Sequence, residues 1–447
     1  MLSHLKSNRR ILAAICLPLL MLAAPGFASD EEAPDYARAT LVGDPGGRRM
    51  AAWQAGWAID AGLKFDALHA RGGLGHGSRG MSNIDLRIRA DLSKIAGRDG
   101  ATAYLHILDN RGDGINSRYA GSLLGVSNIE VPVPTTRIFH AWLQQDFFDE
   151  QFSLLAGLYP IDSEFFVMES ASLLVQPPYG PPADFALTRG PSVFNNSAFG
   201  VRARWQSADR THYALAALLD GVPNDPDHPR RTAIRFAAGD GSFAIAEMGW
   251  LPLEQGHVFE PVDPADGLRG PSVISHEKYG GVSKYAVGFW RYSKRMPDLI
   301  AIDATGAPEL RRSQGAYILA ERTLFGLGEA GRDVSAFARY SVADGDSLAL
   351  DRVWSFGVRL RGLLAARPND TLLFAWTQAR LSDKYRALKE KEGVAMAAHE
   401  ESLEITWRAQ LTPYFAVQPV AQIFHHPGGE RHVARATILG LRFDSAF

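Results

Sequence analysis

The chain has 447 residues, 46% of them hydrophobic and 21% charged, with a formal net charge of −2. That balance excludes a strongly basic nucleic-acid binder. A single cysteine, Cys16, excludes a disulfide framework and a thiolate metal site from anything that follows it.

Residues 1–28 read as a secretory signal: Lys6, Arg9 and Arg10, an apolar run over 11–24, then small residues up to Ala28, where cleavage is expected. Ile15 before Cys16 does not suit a lipid anchor. Losing those three basic residues, with no acidic ones, takes the mature charge to −5. Residues 29–52 are polar, with Pro and Gly, and are expected to form a flexible leader. The remainder, 53–447, shows no linker and reads as one domain.

From Trp53 the pattern is short alternating runs broken by turn signals. Residues 83–94 put Ile84, Leu86, Ile88, Ala90 and Leu92 on one face, with Asp85, Arg87, Arg89, Asp91 and Ser93 on the other. A helix would scatter those charges around its circumference, whereas a strand separates them. Residues 201–205 repeat the alternation with Arg202 and Arg204, 354–361 with Arg359 and Arg361, and 403–411 with Glu404 and Arg408. A soluble sandwich could carry one such strand. Recurrence along the whole chain points to a membrane barrel with apolar residues outward and polar ones inward.

Seventeen runs qualify as strands. Barrels of this type take an even number, with short periplasmic turns and longer outer loops. Counting from both ends clashes near 220–280, and moving the weakest run, 230–238, into an outer loop leaves sixteen. The connection 251–279 then becomes unusually long for a periplasmic turn. The last strand places Leu439, Leu441, Phe443 and Phe447 opposite Arg442 and Asp444. Trp53, Trp57, Trp142, Phe147, Phe148, Trp290, Tyr292, Trp376, Tyr414 and Phe415 sit at strand ends, where interfacial girdles are expected.

One connection stands apart. Residues 154–200 begin and end as strands, but between them lie six prolines, including the run Gln-Pro-Pro-Tyr-Gly-Pro-Pro at 176–182. A loop of this length is uncommon without a function. It carries Asp162, Glu164, Glu169, Asp184 and Arg189, and is expected to fold into the barrel mouth as a constriction.

Several segments together resemble the carbohydrate-selective porins of the OprB family: GSLLGVSNIE at 121–130, HAWLQQDF at 140–147, LAGLYPIDSEFF at 155–166 and QPPYGPP at 176–182. The likeness continues through NNSAFGVR at 195–202, LAALLDGVPN at 215–224, GLLAARPNDT at 362–371 and the stretch 401–429. It departs at 251–279 and near 279–292. The resemblance implies an outer-membrane, sixteen-stranded barrel passing sugars by facilitated, energy-independent diffusion.

The expected fold is therefore all-β, a transmembrane antiparallel β-barrel of sixteen strands with a long inward-folded constriction loop. Catalytic signals are thin. His425 and His426 form a pair, and His69 and His76 flank the glycine-rich 72–80, which is read as a loop, but none has metalloprotease spacing. No enzyme activity, cofactor or metal is expected. Sugars are neutral and rich in hydroxyls, so a selective channel needs donors and acceptors together. The candidate pore-lining residues are Asp85, Arg87, Arg89, Asp91, Asp162, Glu164, Glu169, Arg189, Arg202, Arg204, Arg359, Arg361, Glu404 and Arg408. Conduction needs weak binding, in the millimolar range or about −4 kcal/mol. The expected partners are a carbohydrate substrate, outer-membrane lipid and the barrel-assembly machinery, the chain being a monomer or homotrimer. The alternatives are a general or anion-preferring porin and, from another class, an outer-membrane barrel enzyme or adhesin.

Overall fold

Sixteen antiparallel strands close on themselves, each pairing with its neighbour in sequence and β1 pairing with β16. The computed structural model describes residues 33–252, 283–328 and 332–447. The expected signal at 1–28 and nearly all of 251–279 lie outside the described residues.

The first eight strands are β1 (Trp57–Gly73), β2 (Gly75–Asp91), β3 (Ala101–Arg111), β4 (Thr135–Phe147), β5 (Phe152–Tyr159), β6 (Ala198–Gln206), β7 (His212–Asp220) and β8 (Ser242–Trp250). The others are β9 (Ser283–Ile302), β10 (Pro308–Gly326), β11 (Asp333–Ala343), β12 (Leu350–Arg361), β13 (Thr371–Leu381), β14 (His399–Thr412), β15 (Phe415–His425) and β16 (Ala434–Ala446). The stretch 230–238, demoted on parity grounds, carries no strand.

The alternation seen in the sequence is the alternation of the wall. Ile84, Leu86, Leu403, Ile405 and Trp407 are exposed on the outside, while Asp85, Arg87, Glu404 and Thr406 are buried inside. Closure satisfies every strand's ladder, the condition for placing a sheet in hydrocarbon. The end holding both termini has mostly short turns, such as 148–151 and 413–414, and the other end has the long loops. By the usual asymmetry the first end is periplasmic.

Three expectations are corrected. The stretch 29–52, assigned to a flexible leader, contains the short helix α1 (Tyr36–Ala39) and most of a second, α2 (Arg48–Gln54), which runs on into the expected start of the first strand. They are held because Leu41 donates its N–H to Ala446 O at 2.8 Å, and Arg49 reaches Ile59 O and Phe447 O. The glycine-rich 72–80 is largely strand, paired across a two-residue turn at Gly73 and Leu74. There the Nδ1 of His69 lies 2.9 Å from the hydroxyl of Ser78.

The aromatic girdle is only partly formed by the expected residues. Trp57 and Phe148 face outward, but Trp142, Trp290 and Tyr292 are buried inside. The physical reason is the inward loop, which gives these rings an apolar partner on the lumen side. Three further helices lie between strands: α3 (Leu92–Ala96), α4 (Ala183–Ala186) within the long loop after β5, and α5 (Asp383–Lys391).

Candidate pore constriction

The loop 160–197 enters the barrel and follows its inner wall from β5 round to β15. Two kinds of contact hold it. The first is apolar: Phe165, Phe166, Met168, Leu174, Tyr179 and Phe185 of the loop form one buried cluster with Phe243, Ile245, Trp290, Tyr292, Tyr317 and Phe337 of the wall. Each buried ring is worth roughly 1.5–3 kcal/mol in area removed from water. Because β8–β11 turn aromatic side chains inward here, the wall is apolar on both faces beneath the loop.

The second is a set of wall carboxylates that accept loop backbone N–H groups. Glu247 accepts from Phe166 N at 3.1 Å and from the hydroxyls of Tyr213 and Tyr317. Glu321 takes Glu169 N at 3.1 Å, Ser170 N at 2.8 Å and the Ser170 hydroxyl at 2.6 Å. Glu404 takes Val175 N at 2.6 Å and Gln176 N at 2.9 Å. A carboxylate accepting two N–H bonds is a strong acceptor for donors that no strand can satisfy. From the donor side, Arg339 holds Pro178 O and Gly180 O, Lys284 holds Val167 O at 3.0 Å, and Gln418 holds Leu173 O at 2.7 Å.

Where this loop turns back, the loop 112–134 continues the ring. Asn128 donates its backbone N–H to Val175 O at 2.8 Å and accepts from Arg442 at 2.7 Å. Ser127 donates to Asp66 at 2.7 Å, and Gln422 donates to Val126 O at 3.0 Å. Together the two loops belt the inner wall.

The expected pore residues divide by position. Glu169 rises from the loop with its side chain 34% exposed and its Oε1 3.9 Å from Arg359 Nη1. Arg359 is itself held by Asp333 at 3.1 Å, and Arg361 pairs across the strands with Asp333. Arg408 faces Asp444 at 3.3 Å, both side chains 13% exposed. Arg87 and Arg89 face inward from β2, Arg87 buried and Arg89 half-buried.

Others are taken up in the scaffold. Arg202 is buried, with Glu164 at 2.8 Å, Ser153 at 2.8 Å and Gln144 at 2.8 Å, and Arg204 lies 3.7 Å from Asp146. Asp85 is enclosed by His106 at 2.7 Å and Asn83 at 2.6 Å. Asp162 accepts from Phe194 N at 3.0 Å, and Arg189 donates to Asp240 O at 3.2 Å. Glu404 is a clamp on loop backbone. Asp91 lies at the far strand end, where it caps α3 by accepting from Ser93 N and Lys94 N. The sequence puts Asp91 on the polar face, but the chain leaves the sheet there and its carboxylate meets the orphan amides of a helix start.

Enclosure shifts the loop carboxyls. Burial raises Asp162 and Asp184 to about 6 each, against hydrogen bonds that favour ionisation. Glu169 goes to about 8, raised first by desolvation and further by Glu321, with Arg359 opposing.

Sequence reasoning missed Asp66, Glu247, Glu321, Arg339 and Gln418. Glu247 and Glu321 were legible only as lone acids within apolar alternation, a pattern that marks an inner wall covered by something else. Arg442 was placed on the inner face, but its two bonds to Asp66, at 2.7 and 2.8 Å, join β16 to β1 across the closing seam.

Comparison with known proteins agrees with this architecture. A curated relative, Porin B of Pseudomonas aeruginosa, is 22% identical over 448 residues, covering 91% of each chain. The high-pH structure of Pseudomonas putida OprB superposes with a TM-score of 0.78 at 17% identity, covering 93% of this chain and 100% of that one. Its low-pH structure gives 0.55 at 15% identity, covering 94% and 100%. The sequence profile of the carbohydrate-selective porin, OprB family, matches residues 76–447, and the chain belongs to that family of outer-membrane channels.

Proposed function

We propose that sugars cross by energy-independent diffusion through the space beside the two-loop belt, making weak contacts with Glu169, backed by the buried Arg359, and with Arg361 on one wall, and with Arg89 and Arg408 on another. The observation that carries this reading is Glu169: an acceptor presented by the loop, partly exposed, next to guanidinium donors. A neutral polyol can exchange a water for the exposed part of Glu169 there. No single contact is strong enough to trap it, which conduction requires.

The test is ion current through single channels in a planar bilayer, titrated with glucose. Wild-type protein should be suppressed with a half-effect in the millimolar range. Measured above about pH 8, where the carboxyl is ionised, Glu169→Gln, losing a charged acceptor, should weaken that suppression by about ten-fold. In liposome swelling, neutral sugars should enter faster than a charged solute of the same size. Entry ordered by size alone, with no current suppression, would favour a general diffusion porin and remove the sugar-binding role of these residues.

A further inference from the structure

The outer wall over β9–β12 carries an arrangement that transport does not use. Arg295 and Arg312 stand directly opposite each other across β9 and β10, and below them, past an irregularity in the pairing, Arg291 opposes Gln314. Alternation places all three on the outside: the inner face of the same hairpin holds Asp298, Glu309 and Arg311, which pair with one another. Arg295 and Arg312 are exposed and Arg291 is half-buried. Among the described residues, none of the three makes a hydrogen bond or ion pair. Arg352 of β12 adds a fourth exposed guanidinium; the neighbouring Asp351 is engaged by Arg380 at 2.6 Å. Like charges directly opposed on a sheet destabilise it unless an anion lies between them.

Directly below, on the same outward face, lies an apolar groove of about 760 Å³. Trp205 and Trp250 wall one side, Trp354 the other, and Met248, Val287 and Ile318 line it. Arg291 stands four residues above Val287 on β9, roughly 13 Å at strand rise, and Arg352 two residues above Trp354. An anion site set over an apolar groove fits a molecule with phosphate at one end and hydrocarbon at the other. The arginines stand at the loop-rich end of the barrel, in the direction of the outer leaflet. We propose that this face binds a phosphorylated, acylated lipid of that leaflet, its phosphate held between Arg291, Arg295 and Arg312 and its chains in the groove. Arginine suits the task because its planar fork engages phosphate oxygens in pairs.

The test is native mass spectrometry of detergent-purified protein titrated with diphosphoryl lipid A as the probe. Wild-type protein should retain lipid through mild activation. The triple variant Arg291→Gln, Arg295→Gln, Arg312→Gln should bind at least about ten-fold more weakly. The matching triple Lys variant should keep most of the binding, since it keeps the charge. All three must show the heat-modifiable gel migration of a folded barrel; these side chains support no fold contact, so loss of fold is not expected. A phosphate-free analogue should bind as weakly to wild type as the lipid does to the Gln variant. Retention by the Gln variant within about two-fold of wild type, or equal binding of the phosphate-free analogue, overturns the proposal. Complete displacement by about 10 mM inorganic phosphate, at the weak end of the affinity scale, overturns the lipid assignment in favour of a free-anion site.

Discussion

Glu169 is pulled in two directions. Enclosure and Glu321 resist its charge, Arg359 favours it, and the balance leaves its pKa at about 8. The carboxyl is therefore negative above that pH and neutral below. Two consequences have definite signs. A group whose pKa is raised on folding contributes full stability below its ordinary range and loses it as pH rises, so the loop is held less firmly between about pH 4.5 and 8 as alkali is added. The lumen also gains a negative charge over the upper part of that window. Reversal potentials in a salt gradient, measured from pH 6 to 9.5, should move toward cation preference across about pH 8 by roughly two-fold in permeability ratio, the scale of one charge partly screened by salt. Glu169→Gln should give a flat profile, and a slope that survives in that variant would assign the titration elsewhere. At this scale residue type was legible and role was not. Glu404 and Glu169 are both acids of the polar set, yet one grips backbone and the other meets the lumen. The difference lies in which orphan amides arrive from 160–197, a contact made across more than two hundred residues of chain.

The loop 160–197 holds only α4 and three single 3-10 turns, and its shape comes from the wall. Its amides have no ladder, so Glu247, Glu321 and Glu404 take their place. Its rings have no core of their own, so Phe243, Trp290 and Tyr317 supply one. The prolines and the length of this stretch made it visible in the sequence, and alternation found the strands. Trp142, Trp290 and Tyr292 looked like girdle residues because a strand pattern does not say what covers each face. If packing and backbone clamps share the load, loosening one should widen the channel without opening the barrel. Phe166 lies 5.1 Å from Phe185 and 4.3 Å from Tyr317, ring centre to ring centre. Phe166→Ala with Phe185→Ala should cost the loop roughly 3–5 kcal/mol of packing per ring. Single-channel conductance should rise and discrimination between mono- and oligosaccharides should fall, while the folded barrel keeps its gel migration. Unchanged conductance would mean that the carboxylate clamps hold the loop unaided.

The whole molecule depends on one seam, because fifteen strand pairs follow chain order and only β1 with β16 joins the ends of the sequence. Strand count and turn asymmetry were readable from period-two patterns and parity, since each strand pairs with its neighbour in the chain. The seam was not, because nothing local marks a partner nearly four hundred residues away. It is reinforced at two points: Arg442 grips Asp66 inside, and Arg49 ties α2 to the backbone of Phe447. It also needs a close approach. Gly440 sits opposite Leu68, and a Cβ there would lie 2.2 Å from Ala67 O, a backbone atom that cannot yield without shifting β1. Gly62, on the same β1 edge, would place a Cβ no nearer than 3.6 Å to any neighbour, the closest being the flexible end of Arg87. The pair separates a seam effect from the general cost of losing a glycine. Gly440→Ala should lower the temperature at which the folded, fast-migrating form is lost and reduce the yield of refolded barrel. Gly62→Ala should leave both close to wild type, because removing a glycine from a strand interior is mildly favourable where space allows. Parting of the seam alone breaks closure, so the Gly440 variant should also leak ions through channels of irregular conductance. Equal stability of the two variants would show that closure does not limit the barrel.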